Sequence, residues 1–207
     1  QLDTQRHLTP VWGVGVALPG EFAEWIGGRA GLPGAPAWWE LCLYDLQGAS
    51  ILGADASMLT SARLDNQLSC WAATVALSAS TPQDHVAVIV LNDHEEVGSS
   101  STTGAGGPFL ESVLGRIVAA RGGTAEDLAR SLVSSACLSA DNAHAIHPNY
   151  AERHEPGHRP IVNAGPAIKV NSNQRYATSC DSAAGFQRAC ETAGVPWQVF
   201  VSRKKMP

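Results

Sequence analysis

The stretch that most constrains this chain is a run of six apolar residues, 86–91, four of which are β-branched. A short run of this kind is typical of a strand that is buried on both faces. An acidic segment and a loop rich in Ser, Thr and Gly follow directly, up to residue 107. Because ligands bind at strand exits in open α/β sheets, the run predicts a buried strand that delivers Glu95 and Glu96 to a binding edge.

Two adjacent glutamates at such an exit admit two interpretations. Consecutive loop side chains point differently, so one carboxylate can bind a metal ion while its neighbour handles a proton. Exposed carboxylates are also the norm on protein surfaces, and an ordinary solvated turn explains the pair as well. Both interpretations stay open for Glu95 and Glu96 when only their own sequence is considered.

Composition excludes several classes of protein. The 207 residues allow one or two domains, and 44% hydrophobic with 16% charged residues is usual for a globular protein. A net charge of -5, with a basic cluster only at 203–205, argues against a nucleic-acid partner. We expect no membrane partner and a cytoplasmic location, since neither a membrane span nor a secretory signal is evident. The five cysteines are odd in number and widely spaced, which favours buried free thiols.

The order of the predicted elements indicates an α/β fold whose sheet is covered by helices on both faces. Helical patterns include residues 64–76, 108–121, 124–133 and 181–193, and strands are expected at 133–138, within 161–170 and at 197–201. Residues 1–53 are punctuated by Gly and Pro and predict a separate β-rich module, with short strands at 40–44 and 49–52. The second domain is expected to span 54–207.

Acidic residues recur where strands end. Asp65 lies between a predicted strand and a helix, and Asp141 follows the strand expected at 133–138. Since strand exits converge on one edge of an α/β sheet, Asp65, Glu95, Glu96 and Asp141 are predicted to share one site. Clustered carboxylates repel one another unless cations neutralise them, so a pair of divalent metal ions is the simplest resolution. The alternative for Asp65 is an ordinary helix cap.

Four motifs together resemble the aspartyl aminopeptidase family, which consists of two-zinc exopeptidases that remove acidic amino-terminal residues. They are RLDN at 63–66, DHEEVGS at 93–99, SADNAHAIHPNY at 139–150 and GPAIKVNSNQRYAT at 165–178. The resemblance runs from about residue 40 to the end. It implies that 54–207 is part of a metallopeptidase catalytic domain and that 1–53 is part of a dimerisation module.

The resemblance also implies a role for each matched residue. Asp65 would bridge two divalent ions, zinc in the first place, with cobalt or manganese as alternatives. Glu96 and Asp141 would each hold one ion, and Glu95 would be the general base. The substrate contacts would be His144, Lys169 and Tyr176. The implied partners are peptides with an acidic amino-terminal residue and further copies of the chain in a homo-oligomer.

Some of these residues have structural alternatives. Lys169 lies in an apolar run and could extend its ammonium from a strand edge to solvent without further role. Tyr176 could belong to the core, with its hydroxyl bonded to the backbone. His94 matches its motif but is expected to be structural, and the histidines at 147, 154 and 158 are expected to be ordinary loop residues.

The chain departs from the family pattern at both ends. Each end of a family member supplies one zinc-ligand histidine, and neither matches a residue here, so metal affinity is expected to be lower. A different class of function, a truncated homologue that is a non-catalytic structural or assembly subunit, therefore stays open. Another two-metal hydrolase, such as a deacylase, is a third reading.

Overall fold

The computed structural model describes residues 2–81 and 84–202. The chain divides into two compact units, Gln1–Gln47 and Gly48–Pro207. The helices are α1 (Thr4–His7), α2 (Glu21–Arg29), α3 (Leu64–Ala79), α4 (Phe109–Ala120), α5 (Ala125–Val133), a 3-10 segment (Pro148–Arg153) and α6 (Cys180–Ala193). The strands are β1 (Ser50–Leu52), β2 (Met58–Thr60), β3 (Ala167–Val170) and β4 (Gln198–Val201). The mixed α/β class expected from the sequence is confirmed.

The first unit is built around α2 and a cluster of aromatic rings. Phe22 and Trp25 stack with their centroids 5.7 Å apart, and Trp12 lies 5.3 Å from Phe22. Trp39 meets Phe22 edge-on at 6.1 Å. Such offset and edge contacts are the favoured geometries of aromatic pairs. Ile26 on the same helix is the buried apolar residue of this unit within its described part.

The β-rich character expected for residues 1–53 is not observed. Of the described residues in that range, only β1 forms a strand, and 40–44 does not. Leu41 and Leu43 are exposed there, and none of the described strands includes this segment. The helical signal was present in 21–29, because Phe22, Trp25 and Ile26 recur at helical spacing and two glutamates in the first turn favour a helix start. Gly and Pro nearby obscured it.

The second unit begins with a hairpin that leads into α3. Strands β1 and β2 are antiparallel, with Ile51 opposite Leu59. Three residues separate β2 from α3, and Arg63 at the helix N-cap adopts a left-handed conformation, φ 63°. The predicted helix is confirmed, and the strand-to-helix junction places Asp65 in its first turn.

Helices α4 and α5 follow the caps that their sequences carry. Pro108 precedes α4, and Gly122 at φ 80° follows its end. Thr124 and Asp127 form a capping box at the start of α5, in which each side chain bonds to the backbone of the other residue. Two hydrogen bonds from Thr124 lower the pKa of the Asp127 carboxyl below its usual value. The bond from the Thr124 hydroxyl has the larger effect, and the bond from its backbone N–H has the smaller one.

A β-α-β unit closes the described chain. Strands β3 and β4 are parallel, with Lys169 opposite Phe200, and α6 connects them. Gly194, in the left-handed conformation, ends α6 as expected. Gly165 precedes β3 at φ 91°, and an added Cβ there would overlap the Pro196 carbonyl oxygen. The backbones at Gly165 and Pro196 approach each other closely, so position 165 requires glycine.

The central strand expected at 86–91 does not form. No described segment pairs with it, and Val86, Val88 and Leu91 are 72%, 50% and 53% exposed. The described strands make two separate two-stranded ladders instead. A strand needs a neighbour for its backbone hydrogen bonds, so an apolar run alone does not suffice. The prediction of a strand at 133–138 is wrong for the same reason. Helix α5 ends at Val133, and Leu138 is exposed.

Burial is sparse in the second unit. Cys190 on α6 is its buried apolar residue among those described, and His154 and Asn171 are its buried polar residues. All five cysteines are free, but Cys42, Cys137 and Cys180 are exposed, so the burial expected for them is wrong. No described helix is long and apolar enough to cross a membrane.

Candidate active site

Asp65 is held at the start of α3. Its side chain is exposed, and Oδ1 accepts a hydrogen bond of 2.8 Å from the backbone N–H of Asn66. The helix has no side-chain cap, because Arg63 rather than Asp65 occupies the N-cap. The reading of Asp65 as a helix cap is therefore wrong, and its carboxylate faces solvent at the positive end of the helix dipole.

The loop that carries Asp141 lies beside this helix start. Asn142 donates a hydrogen bond of 3.1 Å from Nδ2 to the carbonyl oxygen of Leu64, the residue before Asp65. The contact is half-buried and joins positions 78 residues apart in the sequence. It brings two of the motifs into one neighbourhood.

Lys169 meets Asp141 in the strongest polar contact of this neighbourhood. Lys169 Nζ lies 2.6 Å from Asp141 Oδ2, and the side chains are 22% and 55% exposed. The same ammonium lies 5.7 Å from the ring centroid of Tyr176. Since a cation over an aromatic face is attracted to it, Asp141, Lys169 and Tyr176 form one cluster, here called the lysine cluster. The ammonium of Lys169 therefore contacts two other side chains, so the alternative that Lys169 only extends into solvent does not apply.

Backbone contacts fix the base of the lysine cluster. The Thr178 hydroxyl donates a hydrogen bond of 2.7 Å to the carbonyl oxygen of Lys169. Strand β4 pairs with β3 along its length, so the Lys169 backbone is held from both sides. Tyr176 is half-buried rather than in a core. The ammonium is therefore presented from a fixed strand, although it stands at the end of a long side chain.

Glu95 and Glu96 lie in a loop that closes on itself, here called the glutamate loop (residues 93–107). The Gly98 and Ser99 N–H groups bond to the carbonyl oxygens of Glu95 and His94, at 3.0 and 2.9 Å. Both glutamate side chains are exposed. The first residue of the loop, Asp93, donates its N–H to the Thr103 carbonyl at 3.1 Å. These bonds define a compact turn at the position where the sequence placed a strand exit.

His94, Gly104 and Gly107 make further close contacts within the glutamate loop. His94 Nδ1 lies 2.7 Å from the Ser101 hydroxyl, and that hydroxyl accepts a hydrogen bond of 3.1 Å from the Gly104 N–H. An added Cβ on Gly104 would lie 2.6 Å from the Ser99 carbonyl carbon, and one on Gly107 would overlap the Ser101 carbonyl oxygen. These contacts agree with the structural role expected for His94. The close approach of backbone atoms explains why the loop has glycine at positions 104 and 107.

The four carboxylates do not fit a metal pair in this arrangement. Each zinc ion requires several oxygen, nitrogen or sulfur donors at close range. Within residues 2–81 and 84–202, no three His, Cys, Asp or Glu side chains come together as a group that could hold a metal ion. Asp141 also directs one oxygen to Lys169.

Of the remaining site residues, the sequence predicted His144 but did not single out Asn142 or Thr178. His144 is exposed, three residues after Asp141 in the same loop. Asn142 and Thr178 were not singled out from the sequence, yet they position the Asp141 loop and the Lys169 strand. Their signal was their place inside the matched motifs. His154 lies in a loop after the 3-10 segment, as expected, but it is buried at 6% exposed, and its Nδ1 has no hydrogen-bond partner in the described structure.

Known proteins resemble this chain in sequence and in structure. The family model described as "Aminopeptidase I zinc metalloprotease (M18)" matches residues 37–207. A "Probable M18 family aminopeptidase 2" of Streptomyces coelicolor is 46% identical over 213 residues, which cover 100% of this chain and 49% of that protein. The chain thus spans about half the length of the curated relatives it matches.

Solved structures show the same relationship. A chain from the Ape4 and Nbr1 complex superposes with a TM-score of 0.68 at 37% identity, over 79% of this chain and 32% of its own length. A chain described as "S. cerevesiae mApe1 dodecamer" superposes with a TM-score of 0.64 at 24% identity, over 87% and 43%. The second likeness concerns the fold alone. Since the family model covers most of the sequence, this chain belongs to the M18 family of zinc metallopeptidases.

Proposed function

We propose that this chain contributes the substrate-binding part of a metal-dependent aminopeptidase that removes acidic residues from the amino termini of peptides. The observation that carries the proposal is the lysine cluster, which lies inside the region matched by the M18 family model. An ammonium held over an aromatic ring from a fixed strand is suited to a carboxylate side chain of a substrate. The S. coelicolor relative is itself described as a probable aminopeptidase.

In this proposal the substrate contacts are Lys169, Tyr176 and His144. Lys169 supplies the positive charge, and Tyr176 supports it from the side. His144 is exposed close to Asp141 in sequence and adds a donor or acceptor from the neighbouring loop. A carboxylate substrate would take the place of Asp141 as the partner of Lys169. Specificity for Asp and Glu over Asn and Gln would follow, because only the acids carry the matching charge.

The proposal assigns the metal-side chemistry to the carboxylates. Asp65, Glu96 and Asp141 are the proposed ligands of two divalent metal ions, of which zinc agrees with the family description and cobalt or manganese are alternatives. Glu95 is the proposed general base. These residues do not form a metal-holding group in the arrangement described above, so the assignment demands that Asp65 and Asp141 meet Glu96 when metal is present.

Replacement of Glu95 tests the assigned base. We expect the 207-residue chain, supplied with Zn²⁺, Co²⁺ or Mn²⁺, to release Asp or Glu from short peptides, and Glu95→Gln to lower that rate by about 10²- to 10⁴-fold. Glu126→Gln is the matched control, because Glu126 is exposed on α5 and pairs with Arg130 there. Unchanged turnover by Glu95→Gln would refute the assigned base, and release of Asn as fast as Asp would refute the acidic specificity.

A non-catalytic structural or assembly subunit is the second candidate. The ion pair between Asp141 and Lys169 favours it, because it occupies an oxygen that a metal ion requires. The metal content of the purified protein separates the candidates. A value close to two tightly held ions per chain would contradict the non-catalytic candidate, and absence of both metal and activity would support it.

We also propose that the chain assembles with further copies of itself. The S. cerevesiae mApe1 neighbour is described as a dodecamer, and many large apolar side chains are exposed in the described structure. Large exposed apolar areas are typical of association surfaces. Gel filtration at several protein concentrations is expected to show a mass above that of one chain, and a monomer at every concentration would contradict the proposal.

A further inference from the structure

The apolar run at residues 86–91, here called the open segment, lacks the neighbours that a run of this composition requires. Within the described part of the chain it forms no helix, strand or turn, and no backbone hydrogen bond joins it to another residue. Val86 and Val88 are exposed, whereas Ala87 and Ile89 are half-buried. Since consecutive apolar residues are typical of a strand covered on both faces, the open segment is a strand sequence that is covered on one side at most.

The helix that precedes the open segment is uncovered as well. None of the 16 residues of α3 is buried. Leu68, Trp71 and Val75 recur at helical spacing, and all three are exposed. A helix in a protein gains most of its stability by packing such an apolar face against other elements. Two consecutive parts of the second unit thus present apolar side chains that the described chain leaves uncovered.

The surface area of the chain indicates how much cover is absent. Its accessible surface is 16991 Å², whereas a folded monomer of 21.7 kDa exposes about 9,200 Å². Two independent units of the observed sizes would together expose about 11,000 Å², which leaves an excess of about 6,000 Å². In a large obligate dimer each copy covers about 2,500 Å². The excess is therefore about twice what a second copy covers, and it agrees better with one core divided between two pieces.

The lengths of the relatives identify the second piece. All of this chain matches the S. coelicolor M18 relative, but the match covers only 49% of that protein. The rest of that protein, here called the complementary half, is of similar length and contains the part of the M18 chain that residues 1–207 do not match. A piece of this size is large enough to supply both a core face and several strands.

We propose that the open segment is an internal strand of a sheet whose neighbouring strands come from the complementary half of an M18 chain. Main-chain hydrogen bonds along both edges of the open segment supply affinity, as in other cases of strand addition. Apolar side chains of the complementary half cover Val86 and Val88 and the exposed face of α3. The inference concerns how the fold is completed, so it does not rest on the proposed function.

Hydrogen exchange of the unaltered 207-residue chain tests the proposal. The probe is the complementary half of the S. coelicolor relative, expressed together with the chain. We expect the two to co-purify and the consecutive amides of Val88, Ile89 and Val90 to exchange at least about tenfold more slowly than in the chain alone. Consecutive protection is expected because an internal strand donates hydrogen bonds on both edges, whereas an edge strand protects alternate amides.

Each other outcome of this experiment would contradict the proposal. Failure of the two pieces to co-purify, or unchanged exchange of the open segment in the complex, would overturn it. Protection of alternate amides only would show an edge strand instead of an internal one. Protection that rises with the concentration of the chain alone would identify a second copy as the occupant and would also overturn the proposal.

Val88→Pro tests the pairing itself. Proline has no N–H to donate and is not accommodated in an internal strand. The chain alone is expected to tolerate the change, because the Val88 N–H has no backbone partner in the described structure. We expect an unchanged circular dichroism spectrum of the chain alone and an affinity for the complementary half that is at least about tenfold lower. Equal affinities of Val88→Pro and the original chain would contradict the proposal.

Two matched variants separate pairing from other effects of the substitution. Val88→Ile keeps the N–H and a β-branched apolar side chain, so its affinity is expected to stay within about twofold of the original. Val162→Pro places proline at another exposed valine, in a turn where the Ala164 N–H bonds to the Ile161 carbonyl at 3.3 Å. Proline is favoured at the second position of such a turn. Its affinity is also expected to stay within about twofold, and a loss equal to that of Val88→Pro would refute the assignment to the open segment.

Discussion

The glutamate loop and the lysine cluster carry the two halves of the proposed chemistry, and they are held in opposite ways. The glutamate loop closes through bonds between residues at most ten positions apart, such as Asp93 to Thr103. The lysine cluster joins residues that are 28 positions apart, and Asn142 reaches across 78. Local closure costs little chain entropy, whereas the long-range contacts depend on the packing of the elements that carry them.

This difference separates the two regions of the candidate site, because one is closed by its own residues and the other depends on contacts between distant positions. The hydrogen bonds that close the glutamate loop join its own residues, and the side chains of Asp93, Glu95 and Glu96 are exposed. The lysine cluster already has its partners in contact. The proposed metal site would therefore require the glutamate loop to approach Asp65 and Asp141, because no described group there could hold a metal ion.

The largest effect is expected from Gly104→Ala in the glutamate loop. The new Cβ would collide with the Ser99 carbonyl, and relief of that collision should cost about 1–3 kcal/mol of local stability. Hydrogen exchange is expected to show lost protection of the Gly98, Ser99 and Gly106 amides, while the lysine cluster is unaffected. Gly48→Ala is the control, since its Cβ would meet nothing within 4 Å. Equal exchange in both variants would show that the loop is not closed locally.

A smaller effect is expected from the ion pair of the lysine cluster. In a double-mutant cycle of Asp141→Asn and Lys169→Met, denaturant unfolding should give a coupling free energy of about 0.5–1 kcal/mol, because the pair is partly solvent-screened. The cycle is to be run without metal. A coupling indistinguishable from zero would place the pair with the ordinary surface contacts and remove the contrast between the two regions.

The smallest effect is expected at a local pair outside the site, Glu155 with His158. Two hydrogen bonds lower the pKa of Glu155 below its usual value. The larger effect comes from the Gly157 N–H, and the smaller one from His158, whose Nδ1 lies 2.6 Å from Glu155 Oε2. A lowered folded-state pKa means that the stabilisation is complete above the unfolded pKa and is lost as pH falls through the folded one. NMR titration should show the Gly157 amide shifting in that acidic range. In Glu155→Gln the shift should vanish, and its persistence would contradict this assignment.

Sequence pattern predicted the helices well because their signals are local. The apolar period of α3, the capping box of α5 and the glycine that ends α6 each act within a few residues. It failed for the strands at 40–44, 86–91 and 133–138, because a strand exists only when another segment supplies its hydrogen bonds. The short helix α2 was missed because nearby Gly and Pro outweighed its spacing.

The sequence by itself determined the family and helices α3 to α6, since motifs and caps are written in neighbouring positions. Only the tertiary structure decided which of the candidate site residues meet. It brought Asp141 to Lys169 and Tyr176, set Asn142 against the start of α3, and left Glu95 and Glu96 in a turn of their own. The physical reason is that contacts between distant positions depend on the free energy of packing whole elements together, which no short motif encodes.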